Sequence, residues 1–255
     1  MSWLNDIVNF GSSVLGFFTS NNIGAQIVKT AITGYAVNKI NKSIAKDNEK
    51  KSTQQDTGNR IQLDPDTEAR IPVVYGSAFV KGIITDARMS NNNQTMHFCL
   101  TLCERTGVKL SDSAYSVFNF LQVYYNDQLC VFESDGQTLK HLVDRTNTVN
   151  AKPAGQIRVY CYRGSSIEPT TPEGYTNPSM PPAYSIMPGW TSNYKMSDLV
   201  FAIIRVDYSR EKDVTGLGQW EFKVRNTMTL PGDVIYDQLT NKRYGAGVPA
   251  TEINV

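Results

Sequence analysis

Between residues 71 and 226 the chain sets apolar side chains at every second position in one short run after another, and no feature constrains its fold more. Successive side chains of a strand point to opposite faces, so such a run buries one face and wets the other. Residues 95–104 put Phe98, Leu100 and Leu102 on one side and His97, Cys99, Thr101 and Cys103 on the other. Residues 117–125 are strongly β-prone and meet an Asn126-Asp127 turn, after which a strand runs through Phe132. Residues 156–162 alternate about Ile157, Val159 and Cys161. Trp220, Phe222 and Val224 alternate with Glu221, Lys223 and Arg225. Residues 199–206 are almost continuously apolar, the pattern of a strand covered on both faces. Earlier runs at 71–76 and 78–87, the second broken at Gly82, lead into a turn at 90–94. Strands that follow one another without long helices between them predict a mainly antiparallel β domain.

Helical periodicity is confined to the two ends. Trp3, Ile7, Phe10, Val14 and Phe17 recur at spacings of four and three, and Ile23, Ile27, Ala31 and Tyr35 form a second stripe. Together they predict two helices within residues 1–45. Residues 46–60 are rich in Lys, Asp, Glu and Gln and read as a polar linker. Residues 61–255 are then the β-rich domain. The expected class is α+β: a mainly antiparallel β domain with two N-terminal helices and a short C-terminal helix. The N-terminal stripes carry little charge and need a cover, either the chain's own β domain or sister subunits. Trp3, Ile7, Phe10, Val14, Ile27 and Tyr35 are the expected contact residues. No residue between Ile7 and Val28 is charged, yet Asn9, Ser12, Ser13, Thr19, Ser20, Asn21, Asn22 and Gln26 put too many polar groups there for a bilayer core. Membrane contact therefore finds no support.

The C-terminal helix is expected within residues 232–248. Pro231-Gly232 ends the preceding strand, and Asp233 is placed to cap the first turn. Ile235 and Leu239, four apart, share a face and are expected to dock on the β domain. Lys242 and Arg243 fall where a last turn favours positive charge, and Gly245 suits the left-handed residue beyond it.

Residues 168–190 hold six of the eleven prolines together with Tyr175, Tyr184 and Trp190. A connection of that length in a compact domain is unusual. Two readings stand: exposed aromatic anchors for another protein, or a mobile insertion.

Catalytic constellations are lacking. His97 and His141 are the only histidines. His97, Cys99 and Cys103 share a strand face, but at about 3.3 Å per residue the two thiols stand roughly 13 Å apart, too far for one zinc ion. Asp64, Asp66 and Glu68 start like a calcium loop, but Ala69 stands where its glycine belongs and Tyr75 where its last acid belongs. No catalytic residue, cofactor or metal is expected. The net charge of +1 provides no strong pull on nucleic acid. Cys99, Cys103, Cys130 and Cys161 follow an N-terminus without a basic region or cleavage pattern, so free thiols of a cytosol-made chain are expected.

Several stretches resemble, in order, the tail-tip hub proteins of lambda-like phages. Residues 71–84, I-P-V-V-Y-G-S-A-F-V-K-G-I-I, are similar to that family's "P-v-v-Y-G-x-x-x-v-x-G-x-i" entry strand. Leu102-Cys103-Glu104 matches a strand end "l-C-E", although Arg105-Thr106-Gly107 replaces the family's Gly-Pro. Residues 123–127, V-Y-Y-N-D, match a "v-Y-i-N-D" turn. Residues 232–248 resemble "D-v-i-Y-D-L-L-T-N-x-R-Y-G-x-G", with Leu230-Pro231 where Asn-Pro is usual. The likeness covers roughly residues 60–248. It implies a structural virion protein without enzymatic activity, made in the host bacterial cytoplasm and placed at the distal end of the tail. There it would form the tail-tip or baseplate hub in three copies, join the tail tube to distal tail proteins, and close or line the DNA path. It further implies contact with fibre or receptor-binding proteins, and with phage DNA only in passage. An adaptor for receptor-binding fibres is the alternative, and a cell-wall-degrading tail enzyme a more distant one. Larger members continue into further domains whose functions do not carry over.

Overall fold

The structure, a computed structural model, describes residues 70–177 and 179–253. The expected helices of residues 1–45, with Trp3, Ile7, Phe10, Val14, Ile27 and Tyr35, and the linker at 46–60 lie outside the described residues. Within them the strands are β1 (Ser77–Val80), β2 (Ile83–Ser90), β3 (Thr95–Glu104), β4 (Phe118–Tyr125), β5 (Gln128–Phe132), β6 (Leu139–Val143), β7 (Val149–Asn150), β8 (Ile157–Tyr162), β9 (Pro169–Thr170), β10 (Leu199–Asp207) and β11 (Trp220–Asn226), of which β6, β7 and β9 lie outside the runs read from the sequence. Two helices are short, α1 (Ala183–Ile186) and α2 (Pro231–Thr240), and a single 3-10 turn follows at Ala250–Glu252. One sheet has the order β1-β11-β4-β5-β6-β7 and the other β2-β3-β10-β8-β9. Every pairing between these strands is antiparallel, as the patterning predicts.

Local chemistry sets the turns. Asn91, Asn92 and Asn93 all adopt left-handed φ in the β2–β3 connection, and Asn126 and Asp127 do so between β4 and β5. Asn and Asp tolerate this region better than other side chains. Residues 78–87 belong to different sheets on either side of Gly82. That glycine has φ +78°, and a Cβ there would stand 2.7 Å from Leu102 Cδ2. Residues 71–76, expected as a strand, form only an isolated parallel bridge from Val73 to Glu104. Pro72 lacks an N–H, and its carbonyl accepts from Glu104 N at 2.9 Å.

β10 is covered on both faces, as its continuous apolar run predicts: Val200 to Ile204 are all fully buried. β3 is buried along its whole length despite its alternation. The reason is the segment between β8 and β10. It forms β9, which extends the edge of the second sheet, and α1, which with the residues after it covers one face of that sheet. Ala183, Met187 and Trp190 pack with Cys99, Tyr160, Tyr162, Phe201 and Ile203. Trp190 is only 8% exposed, and its indole N–H donates to Asp86 Oδ2 at 2.7 Å. Tyr184 packs partly buried against the same cluster. Tyr175 stands edge-on to Phe132, and its hydroxyl accepts from Phe132 N at 3.0 Å. The expectation of an exposed anchor is therefore corrected at Trp190, while Tyr175 and Tyr184 are half-buried. Cys99, Ile203 and Tyr160 leave an apolar sheet face without a long helix to cover it, and burying each large apolar side chain is worth about 1.5–3 kcal/mol.

The two sheets are stitched at a bridge from Thr138 to Arg158, with Val159 N donating to Gln137 O at 2.9 Å. A second stitch joins Phe120 to Pro172. The four cysteines are free and buried. Burial pushes the Cys99 thiol up to about 12, far from thiolate chemistry at neutral pH.

Candidate functional site

The stretches at 71–76, 102–107 and 231–248 are far apart in sequence and meet at one junction. Its centre is the Asp237 carboxylate. Tyr75 and Tyr244 donate their hydroxyls to Oδ2 at 2.7 and 2.6 Å, and Gly107 N donates to Oδ1 at 3.1 Å. Gln238 Nε2 in turn donates to the Tyr75 oxygen at 2.9 Å. Burial first, and then the Asp237 carboxylate, push both phenols well above their usual range, so each keeps its proton and remains a donor. One turn earlier Asp233 takes Ser111 N and Ser111 Oγ, both at 2.8 Å. Asp233 and Asp237 are each 3% exposed. Both are four-apart neighbours on the inner face of α2, and their hydrogen bonds bind that helix to the β3–β4 connection.

This corrects the expected docking. Ile235 and Leu239 are 59% and 37% exposed and face away from the domain. Asp233 is not the cap: α2 starts at Pro231 after Leu230, which places Asp233 inside the first turn, where the dipole still favours it. Lys242 and Arg243 lie beyond the last turn, which ends at Thr240. Arg243 instead brings Nε to 2.7 Å from Glu104 Oε2, a close ion pair off the hydrogen-bond line, and donates Nη1 to Ser197 O at 3.2 Å. Burial raises the Glu104 carboxyl above its usual range, while Arg243 pulls the other way. Gly245 is not left-handed; Gly247 is, with φ +68°. Gly245 is needed for close approach, since a Cβ there would stand 2.3 Å from Gln238 O. Passing this close, the chain turns back, and Ala246 N and Val248 N satisfy the free carbonyls of Gln238 and Leu239 at 2.8 Å each.

A second buried cluster lies beside the first. Asn226, at the end of β11, donates Nδ2 to Val74 O at 3.0 Å and to Thr106 Oγ1, and accepts from Met228 N at 2.7 Å. Ser116 Oγ donates to Thr106 O at 2.8 Å. Thr106, Ser116 and Asn226 are essentially inaccessible. Patterning identified none of these polar residues, nor Tyr75, Gly107 or Ser111; the one available signal was the four-residue spacing of Asp233 and Asp237.

A cleft of about 390 Å3 opens over the junction, lined among others by Arg105, Tyr115, Tyr236 and Arg243. Asp237 forms part of its lining, with both oxygens already taken by donors. His97, singled out with Cys99 and Cys103, sits with Nε2 3.0 Å from Ser90 Oγ. Among the described residues no three His, Cys, Asp or Glu side chains gather as a metal site, and no helix is long and apolar enough to cross a membrane. No protein-family model matches the sequence, and comparison with curated proteins finds no match.

Proposed function

We infer that the chain is a structural protein of a phage tail, a subunit of the tail-tip or baseplate hub that joins the tube to distal components. The observation that carries this reading is the meeting of the resembling stretches. Tyr75 of the entry stretch, Glu104 of the "l-C-E" end, and Asp237, Arg243 and Tyr244 of the terminal block touch one another directly. Residues that match a family's motifs and bond to each other across 162 positions support a shared architecture better than scattered matches do. The chemistry agrees in kind: the junction is a saturated hydrogen-bond clamp, suited to holding a rigid frame.

In this reading, residues 1–45 form two helices whose stripes pack between copies, three around the tail axis, with residues 46–60 as the tether. The subunit is a virion component without catalytic, cofactor or metal site, and it meets tube, distal-tail and fibre proteins. Two measurements test this. Gold-labelled antibody against the chain should mark the distal tail end of the phage that encodes it; absence of label from intact and from opened tails refutes the reading. Native mass spectrometry of the full chain should give a trimer, and Ile7→Asp with Phe10→Asp should return it to monomer. An unchanged mass would reject the assembly role of the stripes.

A further inference from the structure

Arg105 separates two clefts. Beyond the one over α2 lies another, of about 450 Å3, lined by Arg105, Arg163, Glu168, Val117 and Ile167 together with Ser116 and Pro169. Arg105 is held in place from three sides. Its Nη1 donates to Glu168 Oε1 at 3.1 Å, and its guanidinium carbon lies 5.4 Å from the centre of the Tyr115 ring. Gly164 makes room for it, since a Cβ there would stand 2.5 Å from Nη1. Its Nε is buried without a hydrogen-bond partner among the described residues. Arg163 has neither an ion pair nor a side-chain hydrogen bond among the described residues. Glu168 is thus the single carboxylate in a lining that holds two arginines; it is paired with Arg105 and also accepts from Ser165 Oγ at 3.3 Å.

The rim is apolar where a surface turn is ordinarily polar. Ile167 sits on the turn closed by Glu168 N to Ser165 O and is 69% exposed, and Val117, 37% exposed, lines the same cleft. Arginine grouped with exposed apolar neighbours is a composition enriched in protein interfaces.

We propose that this cleft docks an extended segment of another protein that presents one carboxylate between apolar side chains. The charge balance selects the ligand. Two arginines against one glutamate leave room for a single negative charge, and a guanidinium pairs with a carboxylate through two parallel hydrogen bonds. A run of phosphates would meet Glu168 and an apolar rim, and is disfavoured. Arg105, already pinned, serves as the fixed donor, and Arg163, in the same lining, supplies the second guanidinium. Val117 and Ile167 cover the neighbouring side chains. The inference deepens the proposed function by naming the chemistry of a partner, and rests on it only in taking that partner to be a protein chain.

The test uses the full-length chain and a fluorescein-labelled nine-residue peptide of glycine and serine with an aspartate between two leucines at its centre. Its companion carries asparagine in place of the aspartate. Anisotropy should show saturable binding of the aspartate peptide, at least tenfold weaker for the asparagine peptide. Arg163→Gln and Ile167→Ser should each weaken it at least tenfold with circular dichroism unchanged, and Arg163→Lys should retain part of the affinity. Equal binding of the two peptides, no effect of Arg163→Gln, or no binding at millimolar peptide each overturns the proposal. Tighter binding of a labelled single-stranded oligonucleotide, lost in Arg163→Gln, overturns it in favour of a phosphate surface. Peptide binding without gold label on the tail would remove the hub reading and leave the docking site standing; label without peptide binding would do the reverse.

Discussion

Gly107 and Asp237 approach so closely that a Cβ on the glycine would lie 2.6 Å from the Asp237 Oδ1 atom to which its own N–H donates. This contact, between residues 130 positions apart, is where α2 locks onto the β domain. Gly107→Ala should push the carboxylate off and cost about 1–3 kcal/mol, the penalty for disturbing a buried charged acceptor. Gly232, inside α2 with nothing near its missing Cβ, should respond the other way: Gly232→Ala should stabilise by about 0.5–1 kcal/mol. Urea denaturation of the two variants checks the opposite signs.

The helix should be more sensitive to its acids than to its leucine. Asp237→Asn keeps the shape but loses the charge that Tyr75, Tyr244 and Gly107 bond, and should cost about 2–3 kcal/mol. Leu239→Asp, on the outward face, should change stability by no more than about 0.5 kcal/mol in a monomeric state. A larger loss from Leu239→Asp than from Asp237→Asn, measured by thermal melting, would mean that the docked face is misassigned.

Stability should fall in mild acid because of His97. Burial, followed by the charge of Arg205, holds its imidazole down to about 4 from the usual 6.5, with Asp207 opposing. Arg88 and Arg205 stand directly opposite it on the neighbouring strands. The unfolded chain binds the proton first, so stability is lost as pH drops from about 6.5 towards 4. Glu104, with its carboxyl raised mainly by burial, acts in the opposite direction. The measurement is therefore the difference between parent and His97→Gln, in which this part of the pH slope should vanish. Identical slopes would refute a buried neutral histidine.

The segment before β10 should resist proteases even in the isolated protein. With Ala183, Met187 and Trp190 in the core, limited chymotrypsin digestion of the free chain should spare residues 181–190. Trp190→Ala should cost about 3–5 kcal/mol through the cavity and leave Asp86 without its indole donor. Early cleavage next to Trp190 in the parent protein would contradict its burial.

From the sequence alone the β architecture was determined. Side-chain alternation is a local property, and β3, β8 and β11 show it, whereas β10, covered on both faces, shows a continuous apolar run instead. The Asn126-Asp127 turn and the break at Gly82 were legible for the same reason, since φ preference belongs to the residue itself. The existence of α2 was likewise written in its Pro-Gly start and glycine-rich end. Only the tertiary structure decided which face of α2 is buried. Ile235 with Leu239 and Asp233 with Asp237 share the same spacing, and hydrophobicity favours the first pair. The second pair prevails because Ser111, Gly107, Tyr75 and Tyr244 converge to satisfy it, and a buried carboxylate is affordable only when its donors arrive from distant parts of the chain. Trp190 follows the same logic. Its proline-rich surroundings read locally as an exposed loop, but an uncovered sheet face at Cys99, Tyr160 and Ile203 drew it into the core. Local preference is carried by each residue, whereas the partner that satisfies a buried group is a property of the whole fold.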